Sequence, residues 1–290
     1  MIDRYLLRYF LAVVDHGNFS RAAVHLNVAQ PTLSVGIAKL EKILESKLFH
    51  RANRRIHLTD SGTRLLEYAR RIESDFNQAE RAVRGQEAQP VLKLGILTSI
   101  PAKILSDAIV QARHVDDNAK VELVEGSERE LTNHLARGRV DAAMTLVERG
   151  GERFLEETLF REGYSIAMPE NHALADQEII PGEALADNTM IVRRHCEVLS
   201  ETSKHFTKRG VRPFFAYKSS NDERVLEMIK AGLGVTVMPD SYDCSHIIMR
   251  KMAGFDLVRS VGLLWAPHAE KLYHSPPVIV DVLRAKMTNP

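Results

Sequence analysis

Apolar residues recur at helical spacing three times within the first fifty positions. Leu6, Tyr9, Phe10, Val13 and Val14 share one face of a first amphipathic helix. Gly17-Asn18 breaks it, and Phe19-Ser20 reads as a staple residue followed by an N-cap. A second, short helix runs through Ala22, Ala23 and Leu26 and ends near Asn27-Val28. Pro31 stands where a proline is tolerated, in the first turn of a third helix. That helix buries Leu33, Ile37, Leu40 and Leu44, at steps of four, three and four. Two short helices across a tight turn, the second opened by small polar residues, make the helix-turn-helix pattern. A generic helical bundle is the other reading of the same spacing. Leu48-Phe49 closes the unit, and residues 50–59 read as a wing, two short strands around a basic turn.

From about 61 to 85 the pattern becomes a single long helix. Leu65, Ala69, Ile72, Phe76, Ala79 and Val83 follow at steps of four and three without a slip, a heptad stripe suited to dimerisation. Packing of this helix against its own domain is the alternative. Gly85 to Pro90 then forms a polar hinge. Beyond it, short apolar strands alternate with helices, which implies a parallel sheet with crossover connections. One set of strands falls at 91–97, 120–124 and 140–146, and a second at 164–168, 189–192, 216–218 and 235–238. The last strand, near Val261–Trp265, and a helix near Val278–Met287 return to the first set.

Charge sharpens this division. The chain of 290 residues has a net charge of only +1, but residues 1–62 carry nine Lys and Arg against five Asp and Glu. Residues 63–90 balance, and the remainder is mildly acidic. A basic end on an acidic body suits one domain for nucleic acid and another for something else. The two cysteines, Cys196 and Cys244, offer neither a disulfide framework nor zinc-ligand spacing, so no metal or cofactor is expected. With no secretory leader pattern and no stretch of membrane-spanning length, a cytoplasmic location and no membrane partner are expected.

The ordered series Phe10-Leu11-Ala12-Val13-Val14, Asn18-Phe19-Ser20-Arg21-Ala22-Ala23 and Leu26-Asn27-Val28-Ala29-Gln30-Pro31-Thr32-Leu33-Ser34 closely resembles the LysR-type transcriptional regulators. Ile37, Leu40-Glu41, Leu48-Phe49, Arg51, Arg54-Arg55, Leu58-Thr59 and Gly62 continue the likeness. The resemblance implies an α+β multidomain protein. Residues 1–60 would form a winged helix-turn-helix and 61–89 a dimerising linker helix and hinge. Residues 90–290 would form a two-lobed α/β domain like the periplasmic binding proteins, with lobe one at 90–161 and 265–290 and lobe two at 162–264. The third helix would enter the major groove, led by Ala29, Gln30, Pro31 and Thr32, with Ser34, Val35 and Lys39 behind them. Ser20 and Arg21 would support it, and Arg51, Arg54 and Arg55 of the wing would meet phosphate or the minor groove. Ala29 stands where the family often has Ser, and Val35-Gly36 where it usually has long polar residues.

A small molecule would lie between the lobes, at strand ends and helix starts. Thr98, Ser99 and Ile100 follow the first strand, Gly126-Ser127 the second, and Thr145 ends the third. In lobe two Arg193, His195, Cys196 and Ser219-Ser220-Asn221 occupy similar places, with Gly234 in a tight turn beside the cleft. Cations and hydroxyls at helix starts favour a carboxylate or another organic anion. Cys196 beside Arg193, Arg194 and His195 also permits an oxidant-sensing reading, although Thr202, His205 and Thr207 supply no nearby second cysteine. Ser99, Ser127, His195 and Asp141 lack a nucleophile elbow or metal cluster around them, so an enzyme is not expected. The resemblance implies double-stranded DNA as partner, a homodimer or tetramer, and contact with RNA polymerase if the protein activates.

Overall fold

A computed structural model describes residues 1–52, 55–83, 91–117, 120–150 and 153–288. Arg54 and the hinge expected at 85–90 lie outside the described residues. The N-terminal unit consists of α1 (Arg4–His16), α2 (Phe19–His25) and α3 (Gln30–Ile43), then the hairpin β1 (Phe49–Ala52) and β2 (Arg55–Leu58). Leu6, Phe10, Val13, Ala22, Leu33, Ile37 and Leu40 form its core with Leu48 from the turn before the hairpin. The cap of α2 differs from expectation. Asn18, not Ser20, accepts from the backbone N–H groups of Ser20 and Arg21, because the Asn18 carbonyl reaches both donors from one residue before the helix. Gly36 has a packing reason: a Cβ there would lie 2.5 Å from the Tyr9 ring, so its absence lets α3 close on α1.

The long helix α4 (Asp60–Val83) starts from a cap by Thr59, whose Oγ1 accepts from Gly62 N at 3.0 Å. Its stripe divides. Ala69 is fully buried in the N-terminal core and Leu65 packs against that core, whereas Ile72, Phe76, Ala79 and Val83 remain exposed. Arg4 ties α1 to the same helix through Glu73 and Glu80, with its guanidinium 4.7 Å from the Phe76 ring.

The C-terminal domain has two sheets that share one strand. The elements are β3 (Leu92–Leu97), α5 (Ala102–Val115), β4 (Val121–Gly126), α6 (Glu128–Ala136), β5 (Ala142–Leu146) and β6 (Leu155–Pro169). They continue with β7 (Ile179–Ile180), β8 (Thr189–Arg193), α7 (Leu199–Lys208), β9 (Phe214–Ser219), α8 (Asp222–Lys230) and β10 (Thr236–Pro239). The last are β11 (Ile247–Met252), β12 (Val258–Trp265), α9 (Glu270–His274) and α10 (Val278–Thr288). Lobe one has strand order β4-β3-β5-β12-β6. Residues 155–163 of β6 pair with β12, and residues 164–169 pair with β10 and β11 of lobe two. The parallel pair β8–β9 joins β10 through a bridge between Met190 and Val235.

Two expectations change here. Strand β12 pairs with β6 along its whole length and with β5 from Val261 to Trp265, so residues 258–264 belong to the sheet of lobe one rather than to lobe two. The expected strand at 164–168 is only the end of a fifteen-residue strand that crosses between the lobes. Glu156, Glu157, Arg161 and Glu162 interrupt apolar alternation in its first half and hide it from a pattern search.

The buried carboxylate of Glu41 joins α3 to the chain before the wing, accepting from Leu48 N and from Lys47 Nζ, both at 2.9 Å. Burial opposes its ionisation, but these donors prevail and hold its pKa below the usual value. A depressed carboxyl pKa stabilises the fold at pH values above the unfolded-state pKa, and that contribution disappears as pH falls through the folded-state pKa. Glu41→Gln should therefore lose ~1–2 kcal/mol at pH 7, and less under acid. Urea melts of both proteins at pH 7 and pH 3.5 check this; an equal deficit at the two pH values would refute it.

Candidate functional site

The first candidate surface is the start of α2 and α3. Ser20, Arg21, Ala29, Gln30, Pro31, Thr32, Val35 and Lys39 are all exposed, and Ser34 is half-buried. They share a surface because Leu33, Ile37 and Leu40 turn the other side of α3 into the core. Asn27 supports the turn in a left-handed conformation with φ of 52°, which Asn tolerates better than most residues. Gln30 Nε2 donates to Ser34 Oγ at 2.8 Å, which holds its amide at the front of the helix. Lys39 is engaged internally, donating to the Tyr5 hydroxyl at 3.0 Å. Ala29 caps α3 without a side-chain bond. Arg51 and Arg55 belong to the wing strands.

The second candidate surface is the inter-lobe junction. Arg259, only 2% exposed, sits on β12. Its Nε and Nη2 donate to Glu162 Oε1 at 2.9 and 2.7 Å. Nη2 also meets Ser99 O at 3.1 Å, and Nη1 donates to Ser99 Oγ and to Glu197 Oε1, both at 2.8 Å. The Ser99 hydroxyl donates to the same Glu197 oxygen. Lobe one thus contributes Ser99 and Arg259, the crossing strand Glu162, and lobe two Glu197. None of Arg259, Glu162 and Glu197 was singled out by sequence. An isolated arginine between Val258 and Val261 in a strand was the available signal.

The expected anion-binding residues do not share one site. Thr98, Ile100, Ser220 and Asn221 do come together, lining an inter-lobe cavity of about 370 Å³ with Glu125, Asp222, Glu223 and Tyr242. Ser99 is spent on Arg259 and Glu197. Ser127 and Asn221 cap α6 and α8, Ser127 through a reciprocal box with Glu130. Ser219 Oγ accepts from Asn221 N within the turn before α8. Gly126 ends β4, and Thr145 is fully buried in β5 with its hydroxyl unpartnered among the described residues.

Arg193 is not available to a cleft anion. It is fully buried, forms a bidentate pair with Asp222 and donates to Val237 O at 3.1 Å. Tyr242 donates to the same carboxylate at 3.0 Å. His195 is exposed. Gly234 lies at the opposite end of β8, where a Cβ would come within 2.5 Å of Thr189 O, so close backbone approach rather than the cleft explains it. Cys196 lines a separate, apolar cavity of about 180 Å³ beneath α7, with Leu199, Phe206, Phe215 and Val237.

Residues 5–63 match the model of a bacterial regulatory helix-turn-helix protein of the lysR family, and residues 85–275 match the LysR substrate binding domain. The chain belongs to the LysR family. It is therefore a DNA-binding transcriptional regulator with an effector-binding domain, in a family of regulators rather than enzymes. It is 30% identical to a probable hydrogen peroxide-inducible genes activator of Mycobacterium leprae, over 81% of this chain and 77% of the relative. It is equally 30% identical to the regulator XapR of Escherichia coli, over 83% of each. A full-length OxyR variant from Pseudomonas aeruginosa shares the fold with a TM-score of 0.68 and 24% identity, covering 98% of this chain and 95% of that one. The α+β multidomain architecture expected from sequence is thus that of full-length LysR regulators. Among the described residues no helix is long and apolar enough to cross a membrane, and no cluster of three His, Cys, Asp or Glu is placed to hold a metal.

Within this LysR regulator both cysteines are free thiols. Burial raises the pKa of Cys196, and the opposing influences of Arg193 and the Val198 N–H do not overcome it. The thiol is therefore largely protonated at neutral pH. Its alkylation by iodoacetamide at pH 8 should be at least ~10-fold slower than that of a free cysteine peptide. Mass spectrometry of quenched time points measures this, and a rate matching the peptide would show that the thiol is not suppressed.

Proposed function

We propose that the protein regulates transcription as a homodimer or dimer of dimers, switched by a small molecule in the inter-lobe cavity. The exposed stripe Ile72, Phe76, Ala79 and Val83 supports dimerisation through α4. Each α3 would then enter a major groove, with half-sites one helical turn apart or at multiples of it. Gln30 and Thr32 would read base edges and Arg21 would contact phosphate. Contact with RNA polymerase would follow where the protein activates. Gln30→Ala should lower affinity for its operator by ~1–3 kcal/mol while leaving the salt slope unchanged, whereas Arg21→Ala should reduce that slope by ~1. Operators selected from genomic fragments, titrated by fluorescence anisotropy at several salt concentrations, test both. Equal losses on operator and random DNA for Gln30→Ala would oppose base readout.

The observation that carries the ligand reading is the cavity itself, walled by Thr98 and Ile100 of one lobe and Ser220 and Asn221 of the other. The chemistry differs from the organic anion expected from sequence. Arg193 is already neutralised by Asp222, and among the described residues Glu125 and Glu223 at the cavity form no ion pair. An uncharged polar molecule or an amine suits these walls better than a carboxylate. A thermal-shift screen of full-length protein should find stabilisers among amines and neutral polyols or nucleosides, with the amine response lost in Glu223→Lys. Stabilisation by dicarboxylates alone would sink this assignment.

A second reading, oxidant sensing through Cys196, is favoured by the names of several relatives as hydrogen peroxide-inducible genes activators. The half-buried thiol, whose pKa is raised, and the occupation of the turns after it by Thr202 and His205 count against it. If the ligand reading holds, hydrogen peroxide leaves the operator footprint unchanged. A footprint shift abolished by Cys196→Ser would select the oxidant reading instead.

A further inference from the structure

The junction around Arg259 is built as a carboxylate receptor. Ser99 Oγ and Arg259 Nη1 both donate to one oxygen, and both belong to lobe one. Arg259 is held in place from behind by Glu162, which is itself fixed by Ser241, whose N–H donates to Glu162 Oε2 at 2.6 Å. Ser99 is fixed by its own carbonyl on Arg259 Nη2. These donors therefore keep their geometry through bonds that do not involve Glu197. The carboxylate they receive is that of Glu197, on the turn before α7, with its side chain 5% exposed. Glu197 Oε2 is buried and has no hydrogen-bond partner among the described residues, and the nearby Tyr164 hydroxyl likewise has none. One guanidinium thus serves two carboxylates. Glu197 is held by fewer bonds than Glu162 and belongs to the other lobe.

We propose that Glu197 is an internal ligand: its carboxylate fills a carboxylate-binding site formed by Ser99 and Arg259, and so latches lobe two onto lobe one. An external carboxylate can enter this position only by displacing Glu197. The latch goes beyond the cavity reading above, because it concerns a different set of residues and an anion rather than an amine.

Replacement of Glu197 by alanine removes the side chain beyond Cβ, which is the carbon skeleton and carboxylate of acetate. The full-length Glu197→Ala protein should therefore melt below wild type in chloride. Acetate at equal ionic strength should raise its Tm by roughly 3 °C at ten times the acetate Kd. Benzoate should not substitute, since it exceeds the space vacated. Wild type and Glu197→Gln, whose amide oxygen still fills the site, should show no acetate response. Hydrogen–deuterium exchange of residues 98–101 and 195–199 should rise in Glu197→Ala and fall again with acetate.

An equal acetate response in wild type and Glu197→Ala would overturn the proposal, because the anion would then bind elsewhere. So would a Glu197→Ala protein that folds and ignores acetate. Should Glu197→Ala be insoluble in chloride, recovery of soluble protein in acetate supports the latch. Insolubility in both salts while Glu197→Gln folds overturns it, since a preformed receptor would have accepted the missing fragment.

Discussion

Burying the guanidinium of Arg259 imposes a demand that organises the whole effector domain. A charge removed from water is tolerated only when its donors find partners. Arg259 has five N–H groups, and these meet Glu162, the carbonyl and hydroxyl of Ser99, and Glu197. Those partners come from the crossing strand β6, the turn after β3 and the turn before α7. Satisfying one side chain therefore sets the path of the chain between lobes and the position of both cleft walls. A second buried pair, Arg193 with Asp222, does the same within lobe two, joining the end of β8 to the start of α8 with Tyr242 and Val237 O completing the set.

These two commitments decide which side chains remain at the inter-lobe cavity. The buried arginines Arg193 and Arg259 are neutralised by the protein's own carboxylates. Besides apolar side chains such as Leu97, Ile100 and Leu105, the larger cavity is lined by hydroxyls, an amide and acidic groups. Local charge composition left Arg193 available to a ligand, and pairing at a distance in sequence spent it on Asp222.

The effector domain is also tied to the DNA-binding unit by polar contacts. Arg70 of α4 pairs with Asp15 at the end of α1 and donates to Arg137 O at 3.1 Å after α6. Arg139 reaches the carbonyl of Asp15, and Lys271 meets Asp75 of α4. These bonds link lobe one to both the linker helix and α1. Because these contacts are partly exposed, each is weak alone.

Much of the N-terminal unit was legible in the sequence because its contacts are local. Helical periodicity placed Leu33, Ile37 and Leu40 on a buried face, and that alone fixed which side of α3 stays exposed with Gln30 and Thr32. The heptad stripe was equally legible, but sequence spacing does not distinguish Ala69, buried in its own domain, from the exposed Phe76. In the effector domain, strands and helices followed from alternation, and Thr98, Ile100, Ser220 and Asn221 met where strand ends predicted. The pairing of Arg259 with Ser99, of Glu197 with both, and of Arg193 with Asp222 spans 160, 98, 62 and 29 residues. No local spacing encodes which carboxylate a buried arginine will meet. Residue order determined the fold, the family and the exposed face of α3, whose physics is repeated over a few residues. Tertiary structure alone decided which charged groups are spent on one another and which line the inter-lobe cavity, because those pairings join residues far apart in sequence.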